Sequence, residues 1–106
     1  MMDFMYRVLF LTTQIPAGRV TSYKEIARSL GNTGFSRAVG NALNKNPYPG
    51  RIPCHRVVRS NGEVGGFIQG VEEKIRLLES EGIVIEKNRV KDLRKILFKA
   101  EEMRKP

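Results

Sequence analysis

The segment RIPCHRVV, residues 51–58, holds the chain's only cysteine, Cys54, directly beside its only histidine, His55. A lone cysteine usually serves as a small buried hydrophobe. This one lies in a proline-bounded stretch with an imidazole adjacent and Arg51, Arg56 and Arg59 around it. The thiolate is the nucleophilic form of cysteine, and positive neighbours with a hydrogen-bonding imidazole favour it. The pair therefore reads as a nucleophile with its base, or else as a core residue. It does not read as a metal site: adjacent Cys and His are too close to share one ion comfortably, and no further Cys or His exists to complete a tetrahedron. No metal and no cofactor is expected.

Other side chains stand where chemistry or recognition would need them. Arg37 and Asn41, with Asn44, fall on the polar side of a short helical stretch whose opposite side is apolar. Tyr23 begins another helix and fits its apolar stripe, while its hydroxyl can emerge at the surface. Asn46-Pro47 reads as a turn, and Glu81 as a carboxylate at the end of a helix.

Several elements must position these groups. Phe4, Val8 and Leu11 give helical spacing over residues 3–13, broken by Pro16 and Gly18. Ser22 and Glu25 form an S-x-x-E capping box for a second helix, with Tyr23, Ile26, Ala27 and Leu30 inward and Gly31 as its stop. Phe35, Ala38, Val39, Ala42 and Leu43 make the stripe of a third. The tight glycine-containing link between the second and third reads as a helix-turn-helix. Residues 44–54 form an ordered loop, and 55–67 suggest a short hairpin turning at Asn61-Gly62. A further helix is expected over 70–81, with Val71, Ile75 and Leu78 inward. Residues 83–85 are long enough only for an edge strand. The tail, 91–105, is expected to be an amphipathic helix with Leu93, Ile96, Leu97, Ala100 and Met103 on one side. The fold class is thus mostly α: a small helical, winged-helix-like domain with a helix-turn-helix and a short β-hairpin or extended segment.

At 106 residues and 41% hydrophobic content, the chain is expected to form one domain, residues 1–106. No apolar run reaches the length a membrane helix needs, and the first residues lack a signal-peptide layout. The formal charge of +8 points to a polyanionic partner, nucleic acid ahead of a membrane surface.

In order and spacing, SYKEIA, RAVGNALNKNP, IPCHRVV, GGF and LLESEG resemble the C-terminal, active-site domain of O6-alkylguanine-DNA alkyltransferases, from about residue 3 to Gly82. The resemblance implies a helix-turn-helix that enters the minor groove of double-stranded DNA and flips O6-alkylguanine into a pocket. Cys54 matches the alkyl acceptor, and His55 the base that draws its proton through a bound water. Glu81 matches the carboxylate orienting that histidine, and Asn46 the asparagine bracing the turn. Arg37 matches the finger filling the gap left by the flipped base, and Tyr23 the phenol that bonds guanine at ring nitrogen 3. The Val57 backbone with Phe67 and Ile68 would line the guanine pocket; Asn41 joins the DNA-facing set. The implied protein is a monomeric, single-turnover repair protein of the cytoplasm, nucleoid-associated in a prokaryote.

Three departures bear on that implication. The expected organisation is residues 1–82 as the matching part, without the family's usual N-terminal domain, and 83–106 as an extension without a recognised counterpart. That length is the length of alkyltransferase-like proteins, which bind alkylated DNA without the cysteine and recruit other repair proteins. Phe67 stands where many members have tyrosine, and Ile68 and Gln69 are unusual. The extension reads as a packing helix in preference to a DNA-binding one. Two functions stay open: alkyl transfer to Cys54, or lesion recognition that flags damage without repair. A generic helix-turn-helix regulator would not need the Cys-His-Glu set.

Overall fold

A computed structural model describes residues 3–106. Helix α1, Phe4–Thr12, starts where the Asp3 carboxylate accepts the Tyr6 N–H at 2.8 Å. Its Val8 and Leu11 are fully buried. Helix α2, Tyr23–Ser29, starts where Ser22 Oγ accepts the Glu25 N–H at 3.0 Å. The second half of the expected capping box is replaced, because the Glu25 carboxylate turns to the Ala100 N–H (2.8 Å) and to Arg28. Past Gly31, at φ +102°, the Asn32 carboxamide caps a single 3₁₀ turn, Thr33–Phe35, that leads into helix α3, Ser36–Leu43. The helix-turn-helix is therefore present as α2 and α3. Val39, Ala42 and Leu43 face inward, but Ala38 is exposed. Phe35 precedes the helix and packs edge-on against Phe4, ring centroids 5.7 Å apart, instead of extending the stripe.

Strand β1, Thr21–Ser22, pairs in parallel with β2, Val57–Val58, Thr21 opposite Val57. The expected 55–67 hairpin is reduced to a tight turn at Asn61-Gly62, in which the Arg59 carbonyl accepts Gly62 N–H at 2.9 Å and the Arg59 N–H donates to the Glu63 carbonyl at 2.8 Å. The incoming strand, β2, makes its ladder with β1. Helix α4, Val71–Ser80, buries Leu78 and partly buries Ile75, but Val71 is 40% exposed and the fully buried neighbour on that face is Lys74.

The tail departs most from expectation. Residues 83–85 are not an isolated edge strand: β3, Ile85–Glu86, and β4, Arg89–Val90, form an antiparallel hairpin turning at Lys87 and Asn88, both at positive φ. That is the geometry of a two-residue primed turn. The amphipathic helix shrinks to one turn, α5, Leu93–Ile96. The chain then runs extended along Val20, which donates to the Ile96 carbonyl at 3.1 Å and accepts Phe98 N–H at 2.7 Å. A last 3₁₀ turn, Ala100–Glu102, follows. Backbone pairing with Val20 outweighs helical periodicity because it satisfies groups that would otherwise be buried unpaired.

Two apolar clusters hold these pieces. Val8, Leu11, Ile26, Val39 and Leu43 join α1, α2 and α3, with Cys54, Val57, Phe98 and Met103 completing that cluster. Val20, Val58, Val64, Leu78, Ile83 and Val90 form the second, beneath α4 and the hairpin. Each fully buried Val, Leu or Ile contributes roughly 1.5–3 kcal/mol. The seam between the clusters runs along β1 and β2, and the Cys54 turn feeds directly into β2.

Candidate active site

The loop after α3 is held from within. Asn46, only 3% exposed, accepts the Tyr48 N–H at 2.8 Å and donates Nδ2 to the Ile52 carbonyl at 3.1 Å. The same carbonyl accepts Cys54 N–H at 2.7 Å, so Asn46 fixes the start of the cysteine turn. Cys54–Arg56 form one 3₁₀ turn, with Cys54 and His55 both buried.

His55 Nε2 lies 3.0 Å from Glu81 Oε2, across 26 residues of chain. Glu81 caps the end of α4 and also receives Arg56 side-on: Nε at 3.0 and 3.2 Å and Nη2 at 2.6 Å. Burial alone would raise the Glu81 carboxyl, but the Arg56 and His55 hydrogen bonds hold it below the usual carboxylate range. It is ionised at neutral pH and can only accept, so His55 Nε2 carries the hydrogen. Burial pushes the imidazole below its ordinary value, against the opposing hydrogen bond and charge of Glu81; the Arg56 and Lys74 charges add to the lowering. The ring is therefore neutral, with its lone pair on Nδ1, which has no hydrogen-bond partner among the described residues. A buried thiol thus adjoins an oriented, neutral base.

Lys74 crosses beneath this turn. Its Nζ donates to the carbonyls of Val57 (2.7 Å) and Gly66 (3.1 Å) and lies 5.8 Å from the Tyr23 ring centroid. Burial pushes its ammonium down to about 7. The Tyr23 phenol, raised by burial, keeps its proton. Gly65, at φ +75°, lets the backbone pass that hydroxyl: a Cβ there would sit 3.2 Å from Tyr23 Oη. The GGF segment therefore needs glycine at its first position both for its φ and for its approach to the phenol.

Above the buried network lies an open groove of about 630 Å³, lined by Tyr23, Lys24, Arg37, Asn41, Asn44, Arg59 and Gly66 among others. Arg37 and Asn41 project from the exposed face of α3 into it, beside Tyr23 from α2. Three cationic side chains and three amides, Asn61 being the third, thus share one concave surface, an arrangement suited to an anionic polymer.

The structure brings His55 and Glu81 into one network, with Cys54 buried in the same turn as His55, and Tyr23, Arg37 and Asn41 into one groove, while Asn46 holds the loop before the cysteine. Val57 is fully buried in β2, and its carbonyl accepts Lys74 Nζ at 2.7 Å. Phe67 packs on the main core, whereas Ile68 is 51% exposed and does not line the groove. Arg56 spends its guanidinium on Glu81 and the Ile15 carbonyl (2.7 Å) and does not bond the thiol. Sequence reasoning missed two residues. Lys74 shares a helix face with Ile75 and Leu78, and a lysine on an inward face was the available signal. The grip of Arg56 on Glu81 had no local signal.

The family described as "6-O-methylguanine DNA methyltransferase, DNA binding domain" matches residues 3–83. The methylated-DNA–protein-cysteine methyltransferase of Methanothermobacter thermautotrophicus is 45% identical over 84 residues, covering 79% of this chain and 47% of that protein. The chain thus spans about half the length of the curated relatives it matches. Among solved structures, S. pombe Atl1 in complex with damaged DNA containing O6-carboxymethylguanine superposes with TM-score 0.81 at 30% identity, covering 93% of this chain and 99% of that one. Mycobacterium tuberculosis OGT in complex with DNA gives TM-score 0.73 at 41% identity, over 77% of this chain and 50% of that one. A 93% match necessarily reaches into residues 83–106, so the extension has a structural counterpart after all.

Proposed function

The chain belongs to the O6-methylguanine-DNA methyltransferase family, and from that premise we propose that it takes the alkyl group of O6-alkylguanine onto Cys54. The observation that carries this reading is a buried thiol followed directly in the same turn by a neutral imidazole whose Nε2 is fixed on an ionised carboxylate. A protein that only recognised lesions would have no use for a nucleophile with a base held beside it.

The chemistry follows from these groups. The groove receives duplex DNA, with Lys24, Arg37 and Arg59 offsetting phosphate charge. Arg37 occupies the gap left when the damaged nucleotide leaves the stack, which offsets part of a flipping cost of a few kcal/mol. His55 Nδ1 takes the Cys54 proton, through the bound water that the family resemblance implies. The thiolate then attacks the alkyl carbon in line, the S–C bond forms, and the C–O6 bond breaks with its electron pair leaving on guanine. Tyr23, a protonated phenol, supplies the proton that leaves guanine neutral. Because a thioether is stable, each molecule acts once. Incubation with a duplex containing O6-methylguanine and mass analysis of the Cys54 peptide tests the proposal.

A second reading has its own support. The Atl1 structure matches this chain nearly end to end, and Phe67 and Ile68 depart from the alkyltransferase pattern. On that reading the groove binds alkylated DNA and marks it for other repair proteins. Cys54 favours the first reading.

A further inference from the structure

We propose that Arg56 is a positioning residue for alkyl transfer, clamping Glu81 so that this carboxylate orients the His55 ring without drawing a proton onto it. The inference rests on the transfer reading above and deepens it. Glu81 Oε2 is shared: it lies 3.0 Å from His55 Nε2 and 2.6 Å from Arg56 Nη2. Arg56 Nε lies between the two carboxylate oxygens, at 3.0 and 3.2 Å, so the carboxylate plane is fixed by more than one bond. Its remaining arm, Nη1, donates to the Ile15 carbonyl at 2.7 Å, which ties the cysteine turn to the segment after α1. Both partners are largely sequestered, with side chains 17% and 15% exposed, so solvent does little to screen the pair.

The clamp solves a conflict built into the site. A lone carboxylate against a buried imidazole orients it but also stabilises the imidazolium, and an imidazolium cannot accept a proton from Cys54. Arg56 supplies a compensating charge to the same carboxylate while leaving its hydrogen bond to Nε2 in place. The charged groups that act on His55 are Glu81 and Lys74, contributed by α4 and its end, with Arg56 from its own turn, in which Cys54 is the sequence neighbour. Of the cations, Arg56 is the one bonded to Glu81, so its removal is what leaves the carboxylate uncompensated.

The chain has a single histidine, so the imidazole Cε1–H resonance reports this residue without ambiguity. Its NMR titration midpoint is to be measured in the full chain and in R56Q and R56K, alongside methyl-transfer rates at pH 6 and 8. R56Q is expected to raise the midpoint and to slow transfer several-fold more at pH 6 than at pH 8. R56K, with charge but no fork, falls between R56Q and the parent in both readouts. An R56Q that lowers thermal stability and slows transfer equally at both pH values, with the midpoint unmoved, overturns the proposal. Where R56Q does not fold, R56K decides: a midpoint above the parent's supports the clamp, and one unchanged overturns it. If the midpoint moves as expected but the parent transfers no methyl group, the clamp stands and the transfer reading falls.

Discussion

Lys74 Nζ donates to the Val57 carbonyl at 2.7 Å, which places an ammonium under the strand that follows the Cys54 turn. Burial holds this group down to about 7, with the nearby Arg59 charge adding to the lowering. From about pH 7 to the ordinary lysine value of 10.5, the unfolded chain binds one more proton than the folded one, so stability rises with pH. The cost is fully present below pH 7 and fades above it. Denaturant unfolding at pH 7 and pH 9 is expected to show a gain of about 2 kcal/mol in the parent from this group, and no such gain in Lys74→Met. Equal pH slopes in the two proteins would contradict a buried, depressed ammonium.

Arg37 stands in the groove with Tyr23 and Asn41, outside the Cys54 network. Arg37→Ala should weaken binding to duplex containing O6-methylguanine by on the order of tenfold, since the gap in the stack is left unfilled. Reaction of Cys54 with the free alkylated base imposes no such cost and should change little. Equal losses on duplex and free base would remove the finger role.

Phe98 anchors the tail in the main core. It is 8% exposed, its N–H donates to Val20, its carbonyl accepts Thr21 Oγ1 at 2.7 Å, and Arg19 covers the ring. Phe98→Ala should cost about 3–5 kcal/mol by the loss of buried ring and the cavity left behind. Glu102→Gln, which removes the exposed partner of Arg19, should produce no comparable change at physiological salt. Thermal denaturation of the two variants separates them, and a neutral Phe98→Ala would show that the tail is not part of the core.

The sequence was most legible where local pattern and tertiary packing agree. Val8 and Leu11, Ile26 and Ala27, and Val39, Ala42 and Leu43 are all buried as their spacing requires, and Ser22 caps α2. It was least legible where a distant segment decides the outcome. Leu93, Ile96, Leu97, Ala100 and Met103 satisfy a helical period, yet Ile96, Leu97 and Phe98 are three apolar residues in succession, which suits an extended piece laid against Val20. The Lys87-Asn88 turn carries no glycine, so its positive φ values left little local trace. The pairing of His55 with Glu81 spans 26 residues and was reached only through the family resemblance, whereas their distance is a property of the fold. Lys74 was passed over because charge ordinarily marks a solvated face.

Cys54 is the proposed acceptor of the alkyl group. The direct measurement is mass analysis of the Cys54 peptide after incubation of the protein with excess duplex containing O6-methylguanine. A gain of about 14 Da, one methyl replacing one hydrogen, is the predicted result, with at most one equivalent per chain. Cys54→Ser should bind the same duplex and gain nothing, since the groove survives while the nucleophile is lost. A parent protein that binds the methylated duplex tightly yet stays unmodified over hours would contradict alkyl transfer and establish lesion recognition alone.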